Sequence, residues 1–396
     1  MKEIGIFGGT FSPVHLGHVH AAHAFYDELG LNRLIIIPSF CHPCKKKPEE
    51  FSAEERFRML NLAFKDDSRD IVISDYEIKQ NDVCYTADTL LHFKKELGDE
   101  VHLNLLVGED LILSIGSWRN AEKVFELARI VYIKRKKTDS RISKSVAELK
   151  KNFGADIKEL AAEPYEISST DIRNSVYEYE KYLPDGVKEY IKAQKRAKII
   201  SKVRETLSEK RQEHVFSTEK EALKLGKLAG LDEVDLHRLS TAALLHDITK
   251  ELSKKEHTEL MDRLGESFNK DSLKNENTLH AESGAYYARA LFPSDVDDKV
   301  FSAIFRHTTG SKDMSLLDKI LYLADFTEPT RAIETCKKER EYLYSLIDGG
   351  TKIKKAIDLS IIFSLEKTIA YVKEKGGFVH PASLEALKQL KGNTYS

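Results

Sequence analysis

The sequence has few cysteines, no long apolar run and almost no net charge, and each of these shortages excludes a class of protein. Its four cysteines, in 396 residues, are too few for a disulfide scaffold and are expected to be reduced. No apolar run approaches the roughly 18 to 20 residues that a membrane helix needs, and the N-terminus shows no signal-peptide pattern. The formal net charge of −2 argues against broad binding to nucleic acid or anionic membranes. We therefore expect a cytoplasmic protein.

Cysteine and lysine clusters near the N-terminal third carry little information by themselves. Cys41 and Cys44 resemble half of a zinc knuckle, but no second pair lies at the spacing of a zinc finger, so we do not predict a zinc site there. Cys84 and Cys336 stand alone. The basic run from Lys134 to Lys137 is interpreted as solvated or as a local phosphate contact.

Length and composition predict an ordinary globular protein of more than one domain. A chain of 396 residues suits two or three domains, and 41% hydrophobic with 32% charged residues is typical of soluble proteins with sizeable cores. There is no internal repeat of fixed period and no linker rich in proline or glycine. The residue pattern changes after Ala197, so we predict domains over 1–197 and 198–396.

The stretch from Ile4 to His18 is predicted to form a strand, then a glycine turn and then the start of a helix. Gly8, Gly9 and Thr10 break the strand, and His15 and His18 share one face of the helix that follows. Glycines let backbone N–H groups approach an anion, a helix N-terminus adds positive potential, and imidazoles that can protonate add donors. The pattern indicates a phosphate site, although by itself it also fits a tight turn with surface histidines.

Further apolar runs at 34–38, 71–73 and 105–107 alternate with helical patterns. Such alternation predicts a parallel sheet with right-handed crossovers. The lysine-rich loop over 39–48 follows one of these strands, and open α/β sheets bind ligands beyond the carboxyl ends of their strands.

Three groups of strings in this half resemble known nucleotidyltransferases. The Ile4 to His18 string, with HLGH at 15–18, resembles the His-x-Gly-His family, which is Rossmann-like and transfers an adenylyl group from ATP to a phosphate-bearing acceptor. The strings YTADTL at 85–90 and LLVGED at 105–110, with Trp118 beyond them, are similar to nicotinate mononucleotide adenylyltransferase. The string ISSTDIR at 167–173 is similar to the second half of that family's ATP site.

This resemblance implies a set of functional residues. The catalytic groups are His15 and His18, which hold phosphates, and Arg173, which holds the departing pyrophosphate, with Mg²⁺ bound to ATP. The other residues assigned to ATP are Gly8, Gly9, Thr10, Phe11, Ser168, Ser169 and Thr170. Those assigned to nicotinate mononucleotide are Tyr85, Thr86, Asp110 and Trp118, with Lys45 and Lys46 from the basic loop. That loop reads His42-Pro43-Cys44-Lys45 where the family commonly has Pro-His-Lys, so the sequence leaves open which lysine meets the phosphates.

The second half contains helical patterns only, and an all-α domain is predicted. Within it, His246 and Asp247 are adjacent at the end of an otherwise apolar helix, where polar groups are costly unless they are paired or bind a metal. His214, His280, His307 and Asp325 each belong to a different predicted helix or helix end. One such histidine is more often a core residue than a ligand, so the argument depends on the whole set.

In their order along the chain, these residues resemble the HD-domain metal phosphohydrolases. The strings around them are similar to the bacterial branch that hydrolyses diadenosine tetraphosphate symmetrically. The resemblance implies a first metal on His214, His246, Asp247 and Asp325, and a second on Asp247, His280 and His307. Mixed imidazole and carboxylate ligands suit iron or manganese, with zinc also open. Lys250 and Arg331 are predicted phosphate contacts or surface residues, and Asp247 and Lys250 are the predicted catalytic residues of this half. His237 and His257 are expected at the surface.

The sequence therefore predicts a bifunctional enzyme with ATP, nicotinate mononucleotide and diadenosine tetraphosphate as its ligands. Two alternatives stay open for the first half, in which the acceptor is nicotinamide mononucleotide or phosphopantetheine. For the second half, the alternatives are another nucleotide phosphohydrolase and a metal-stabilised nucleotide sensor without catalysis. Whether the chain forms a homo-oligomer is not decided by the sequence.

Overall fold

The computed structural model describes residues 1–40, 50–134, 141–163, 165–174 and 176–395. The chain forms two compact units, Met1–Lys192 and Ala193–Ser396, and the predicted boundary at Ala197 lies close to this division. Several residues with sequence-based predictions lie outside the described residues, namely Cys41, Cys44, Lys45, Lys46 and most of the basic run that begins at Lys134.

A parallel sheet forms the centre of the first unit, as the alternating pattern predicts. Its strands are β1 (Lys2–Gly9), β2 (Arg33–Pro38), β3 (Ile71–Ile73), β4 (Val101–Gly108), β5 (Ala128–Ile133) and β6 (Ile157–Glu159). Their order is β3-β2-β1-β4-β5-β6, and every neighbouring pair is parallel.

The strand order reverses between β1 and β4, and this reversal positions the first candidate site. Ile6 of β1 pairs with Ile35 on one side and with Leu105 on the other. Because the crossovers leave β1 in opposite directions on its two sides, a crevice opens beyond the carboxyl ends of β1 and β4. The glycine turn lies at the end of β1, and the VGED string at 107–110 spans the end of β4 and the residues that follow it.

Ten helices of this unit and its boundary lie among the described residues. They are α1 (Leu16–Leu29), α2 (Ala53–Ala63), α3 (Tyr76–Gln80), α4 (Thr86–Leu97), α5 (Glu109–Ile112), α6 (Ala121–Leu127), α7 (Arg141–Phe153), α8 (Ser169–Asn174), α9 (Val176–Tyr179) and α10 (Asp185–Thr206). The sequence predicts the start of α2 from Ser52 and Glu55, and these two residues form a reciprocal capping box.

The second unit is helical throughout its described residues, as predicted. Its helices are α11 (Glu209–Leu228), α12 (Glu233–Leu245), α13 (Lys254–Leu264), α14 (Leu279–Leu291), α15 (Asp298–Arg306), α16 (Leu316–Thr327), α17 (Glu334–Asp348), α18 (Ile353–Glu374) and α19 (Pro381–Tyr395). Most of α16 is buried, because it contacts α11, α12, α15, α17 and α18. Within the described part of the chain, no helix is long and apolar enough to cross a membrane.

Candidate active sites

The two histidines of the glycine turn lie at the first turn of α1. His15 is the N-cap residue and His18 is the third residue of the helix, with their ring centroids 3.6 Å apart. The backbone N–H of His15 donates to Nδ1 of His18 at 3.2 Å. Because Nδ1 accepts this bond, a neutral His18 ring carries its proton on Nε2 and can donate from there.

Burial makes both imidazoles poor bases. It lowers the pKa of His15 to about 4, although the nearby Asp171 opposes the shift. It lowers the pKa of His18 well below its usual value, and the proximity of His15 adds to this effect. Both rings are therefore neutral near pH 7, so they act as hydrogen-bond donors rather than as the protonated groups that the sequence suggested.

Close packing explains the glycine of the HLGH string. A Cβ atom at Gly17 would lie 3.0 Å from Cγ2 of Ile167 and 3.1 Å from Nδ1 of His15. Both contacts are tighter than side chains normally accept. The absence of a side chain at Gly17 thus lets the segment around Ile167 approach the first turn of α1.

A buried arginine that the sequence analysis missed fixes the turn between β1 and α1. Arg56 of α2 is 1% exposed, and its guanidinium donates to the carbonyl oxygens of Thr10 at 2.8 Å and Phe40 at 3.0 Å. In the same turn Phe11 has a φ of 50°, and its ring contacts that of His18 with a 5.0 Å centroid separation. The only sequence signal for this role is an arginine on the apolar side of α2.

The structure brings the ISSTDIR string against the glycine turn. The Ser169 hydroxyl donates to the carbonyl of Pro13 at 2.9 Å, and the Arg173 guanidinium donates to the carbonyl of Ser12. Arg173 also donates to Thr170 Oγ1 at 2.9 Å. Two segments about 160 residues apart in the chain thus meet at the start of α1, as the nucleotide-site prediction requires.

The segments around two of the predicted acceptor residues, Tyr85 and Trp118, lie close together. Tyr85 is the N-cap residue of α4 and Thr86 is its first residue, so the free N–H groups of this helix start there. The Arg119 guanidinium lies 4.4 Å from the centre of the Tyr85 ring, and its neighbour Trp118 packs partly buried against the core beneath the sheet. Asp110 follows β4 and is exposed.

In the second unit, five helices or helix ends bring the six predicted ligands into one buried cluster. His214 lies on α11, His280 on α14 and Asp325 on α16, while His246 and His307 directly follow α12 and α15. None of the six residues, which include Asp247, is more than 7% exposed.

One group of ligand atoms gathers around Asp325. The Nε2 atom of His214 lies 2.9 Å from Oδ1 of Asp325 and 3.4 Å from Nε2 of His246. The Nε2 atom of His246 lies 3.6 Å from the same carboxylate oxygen. With metal–ligand bonds of about 2.1 Å, neighbouring ligand atoms of one ion lie roughly 3 to 3.5 Å apart, so this spacing fits a metal ion.

Asp247 lies between this group and a second pair of histidines. Its Oδ2 atom is 3.6 Å from Nε2 of both His214 and His246. Its Oδ1 atom is 3.3 Å from Nε2 of His280 and 3.8 Å from Nε2 of His307. The Nε2 atoms of His280 and His307 are 3.1 Å apart. The two oxygens of one carboxylate therefore face different pairs of histidines.

Hydrogen bonds on the outer side of three rings set their tautomers. His214 Nδ1 lies 3.0 Å from Oε1 of Glu328, and the Nδ1 atoms of His246 and His307 each lie 2.6 Å from the backbone carbonyl oxygen three residues earlier. Each Nδ1 therefore carries a proton, and the Nε2 atoms point at one another and at carboxylates. Such convergence of acceptors is stable only around shared protons or a cation, and the cluster fits divalent metal ions.

The charge balance at the cluster favours ionised carboxylates. Burial opposes the charged form of Asp325, but Arg331, His214 and His246 hold its pKa well below the usual value. His214 is itself buried, and its hydrogen bonds to Asp325 and Glu328 raise its pKa to about 9. The site therefore attracts positive charge.

Three cationic side chains border the cluster. Arg331 donates to Oδ1 of Asp325, and the Lys250 ammonium lies 3.0 Å from Nε2 of His280. Arg211, which the sequence analysis did not single out, donates to Oδ2 of Asp247 at 2.8 Å. It precedes His214 by three residues and thus shares its helix face, which is the signal that could have identified it.

The expectation that His257 lies at the surface is wrong. This residue is 3% exposed, and its Nδ1 atom lies 2.8 Å from the hydroxyl of Ser283 on α14. His257 is on α13, whose apolar stripe packs against α14 and carries the ring inward. His237 is partly buried.

Glu328 offers a test of the hydrogen bonds behind the ligands, because its side chain is fully buried against His214. We expect Glu328→Gln to weaken metal binding about 10- to 100-fold, the usual effect of losing a carboxylate that orients a ligating histidine. Titration of the metal-free protein with Mn²⁺ measures this change. Glu334→Gln, at the first residue of α17, is the control, and equal affinities for both variants would contradict the assigned role.

Comparisons with known proteins agree with this division of the chain. The sequence profile of the cytidylyltransferase-like family matches residues 6–175, and the HD domain profile matches residues 211–330. A probable nicotinate-nucleotide adenylyltransferase of Clostridium kluyveri is 33% identical over 199 residues, which cover 48% of this chain and 97% of that protein. The chain belongs to the nicotinate-nucleotide adenylyltransferase family. The matching region is the N-terminal half of this chain, and the HD domain match follows it.

Two further proteins that are similar to this chain come from Clostridium acetobutylicum. A probable nicotinate-nucleotide adenylyltransferase is 35% identical over 192 residues, covering 48% of this chain and 94% of that protein. A crystal structure described as a predicted HD superfamily hydrolase involved in NAD metabolism is 29% identical, with a TM-score of 0.44, and covers 50% of this chain and 97% of that one.

Proposed function

We propose that the N-terminal half transfers the adenylyl group of ATP to nicotinate mononucleotide, giving deamido-NAD and pyrophosphate. The contact between the glycine turn and the segment that contains Arg173 carries this proposal. Through this contact, the N–H groups at the start of α1, the neutral His18 donor and the Arg173 guanidinium lie together beyond the carboxyl end of β1. Curated relatives that match this half have the corresponding name.

The reaction needs positioning and charge stabilisation rather than acid–base catalysis. The phosphate of the acceptor is already an anion, and it attacks the α-phosphorus of ATP while pyrophosphate leaves. In this scheme the Nε2–H of His18 and the free N–H groups of α1 bind phosphate oxygens, and Arg173 binds the leaving group. Mg²⁺ enters with ATP, held mainly by the substrate and water.

A comparison of acceptors tests this half. At equal concentrations, nicotinate mononucleotide is expected to be adenylylated faster than nicotinamide mononucleotide or phosphopantetheine, measured by chromatography of the products. The support for this choice is the helix start at Thr86, which can bind a carboxylate, and Trp118, which can stack on a pyridine ring. Preference for either of the other acceptors would overturn the assignment.

For the C-terminal half, we propose symmetric hydrolysis of diadenosine tetraphosphate to two molecules of ADP at a two-metal site. The carboxylate of Asp247, with its two oxygens facing different histidine pairs, is the observation that carries the two-metal proposal. In this scheme Asp247 would contribute one oxygen to each ion, His214, His246 and Asp325 would hold the first ion, and His280 and His307 would hold the second. Iron or manganese suits this mixed ligand set, and zinc stays open.

The chain's own residues bind and orient the phosphate groups. Such ions, when bound, supply an activated water and neutralise charge on the attacking and leaving oxygens. Arg331 donates to Asp325 and Arg211 to Oδ2 of Asp247, on the side of the first proposed ion. Lys250 lies beside His280, on the side of the second. These three cationic groups can hold the phosphates on either side of the bond that breaks. Burial lowers the pKa of Lys250, although Asp247 and Asp325 oppose the shift.

Product analysis tests the second half. Diadenosine tetraphosphate is incubated with protein loaded with Fe²⁺, Mn²⁺ or Zn²⁺, and the nucleotides are separated by chromatography. ADP as the single product is the expected result. AMP together with ATP would indicate a different phosphohydrolase, and no turnover with any of the three metals would favour a nucleotide sensor.

A further inference from the structure

A cavity of about 440 Å³ lies among α16, α17 and α18, outside the metal cluster. Its walls are largely apolar and include the rings of Phe326, Phe363 and Tyr371. This volume lies within the range of small-molecule sites, which are typically apolar clefts with a few polar groups that fix orientation. The polar residues that line the cavity include Lys338 and Lys367, and Glu339 is the acidic one and is buried.

Glu339 is 3% exposed, although it lines the cavity. Its Oε1 atom has no hydrogen-bond partner among the described residues. Burial raises the pKa of Glu339 to about 8, and the neighbouring Ser364 only partly offsets this effect. Near pH 7 the side chain is therefore a neutral carboxylic acid, which presents one O–H donor beside one carbonyl acceptor.

Arg331 connects the cavity with the metal cluster. Its guanidinium donates to Oδ1 of Asp325, and its Cζ atom lies 5.9 Å from the centre of the Phe326 ring, which lines the cavity. The Arg331 guanidinium thus has a carboxylate of the metal cluster on one side and an aromatic residue of the cavity wall on the other. A ligand in the cavity that extends past Arg331 would bring a phosphate chain to the metal site.

We propose that this cavity binds the adenine base of the dinucleotide, with Glu339 as the group that recognises its edge. The inference rests on the proposed hydrolysis of diadenosine tetraphosphate and identifies the base subsite for it. Adenine presents an N–H donor at N6 beside an acceptor at N1 or N7, and a neutral carboxylic acid is the complement of that pair. An ionised carboxylate has two acceptors and instead suits guanine, which presents donors at N1 and N2. The aromatic walls can stack on the purine.

Two substitutions at Glu339 separate hydrogen bonding from packing. Glu339→Gln keeps one donor beside one acceptor, so we expect it to retain most of the affinity for ADP. Glu339→Leu keeps the volume but loses both groups, and we expect about 30-fold weaker ADP binding, the loss of two neutral hydrogen bonds. Glu341→Leu, on the exposed face of α17, is the matched control.

The measurement is calorimetric titration of the full chain, loaded with Mn²⁺, with ADP. Nucleotide binding in the N-terminal half is common to all variants, so differences among them report the C-terminal half. Thermal unfolding is recorded in parallel. Glu339→Leu removes a buried polar atom that lacks a partner, and we expect its melting temperature to be at or above that of the wild type.

The outcomes distinguish this inference from the proposed reaction. If Glu339→Leu weakens ADP binding but no protein hydrolyses diadenosine tetraphosphate, the base subsite stands and the proposed hydrolysis is wrong. If hydrolysis occurs and Glu339→Leu binds ADP as well as the wild type, the reaction stands and the subsite is wrong. If Glu339→Gln is as weak as Glu339→Leu, the proposed recognition of the base edge is overturned.

Discussion

Replacing Asp247 by asparagine is expected to reduce hydrolysis of diadenosine tetraphosphate by roughly a thousandfold and to leave adenylyl transfer unchanged. The reason is geometric, because the two oxygens of this carboxylate face both histidine pairs. An amide at the same position offers one weaker ligand oxygen and a nitrogen that cannot bind a metal. One of the two sites therefore loses a ligand, and the other keeps only a weaker one.

The measurement combines hydrolysis rates with the metal content of the purified protein. We expect Asp247→Asn to retain markedly less metal than the wild type. Asp262→Asn, on the exposed side of α13, is the control and keeps both properties. Full metal content with full hydrolysis in Asp247→Asn would show that this carboxylate does not join two sites.

The second large effect is expected for His18→Ala, which should slow adenylyl transfer about 100- to 1,000-fold, the usual effect of losing one donor to a developing charge. The Nε2–H of this ring is a fixed donor, because its Nδ1 is held by the backbone N–H of His15. Burial keeps the ring neutral by lowering its pKa well below the usual value. We thus expect the pH profile of adenylyl transfer to show no step from His18 between pH 6 and 8.

The control for this prediction lies on the same helix. His20 contacts the backbone carbonyl of Glu163 at 2.8 Å and is assigned no part in phosphate binding. His20→Ala is expected to transfer adenylyl groups at nearly the wild-type rate. Equal losses in the two variants would indicate damage to α1 rather than the loss of a phosphate donor, and hydrolysis by the C-terminal half should be unaffected in both.

Sequence patterns predicted the layers of the fold and the cluster of six ligands. Apolar residues recur with one period in strands and with another in helices, and such segments alternate along this half of the chain. The parallel sheet could therefore be predicted from local patterns alone. His214, His246, Asp247, His280, His307 and Asp325 are candidates as a set, because each is a polar residue with apolar neighbours, but the resemblance to the HD-domain phosphohydrolases supplied their assignment as metal ligands.

The residues that support the sites could not be predicted in the same way. Glu328 contacts His214 across more than 100 residues, and Arg56 reaches Thr10 and Phe40 from another helix. Neither contact leaves a local pattern, because it depends on how the helices pack. The burial that keeps His15 and His18 neutral and Glu339 protonated is likewise a property of the folded chain.

The position of β1 in the sheet also has a consequence for how the first unit folds. On one side β1 pairs with β2, which begins about 30 residues further along the chain. On the other side it pairs with β4, which begins about 100 residues further along. Closing so long a loop is entropically costly, and sheets built from distant pairings form slowly. We therefore expect the glycine turn after β1 to obtain its final surroundings only after residues 101–108 have joined the sheet, so that the nucleotide site forms late in folding.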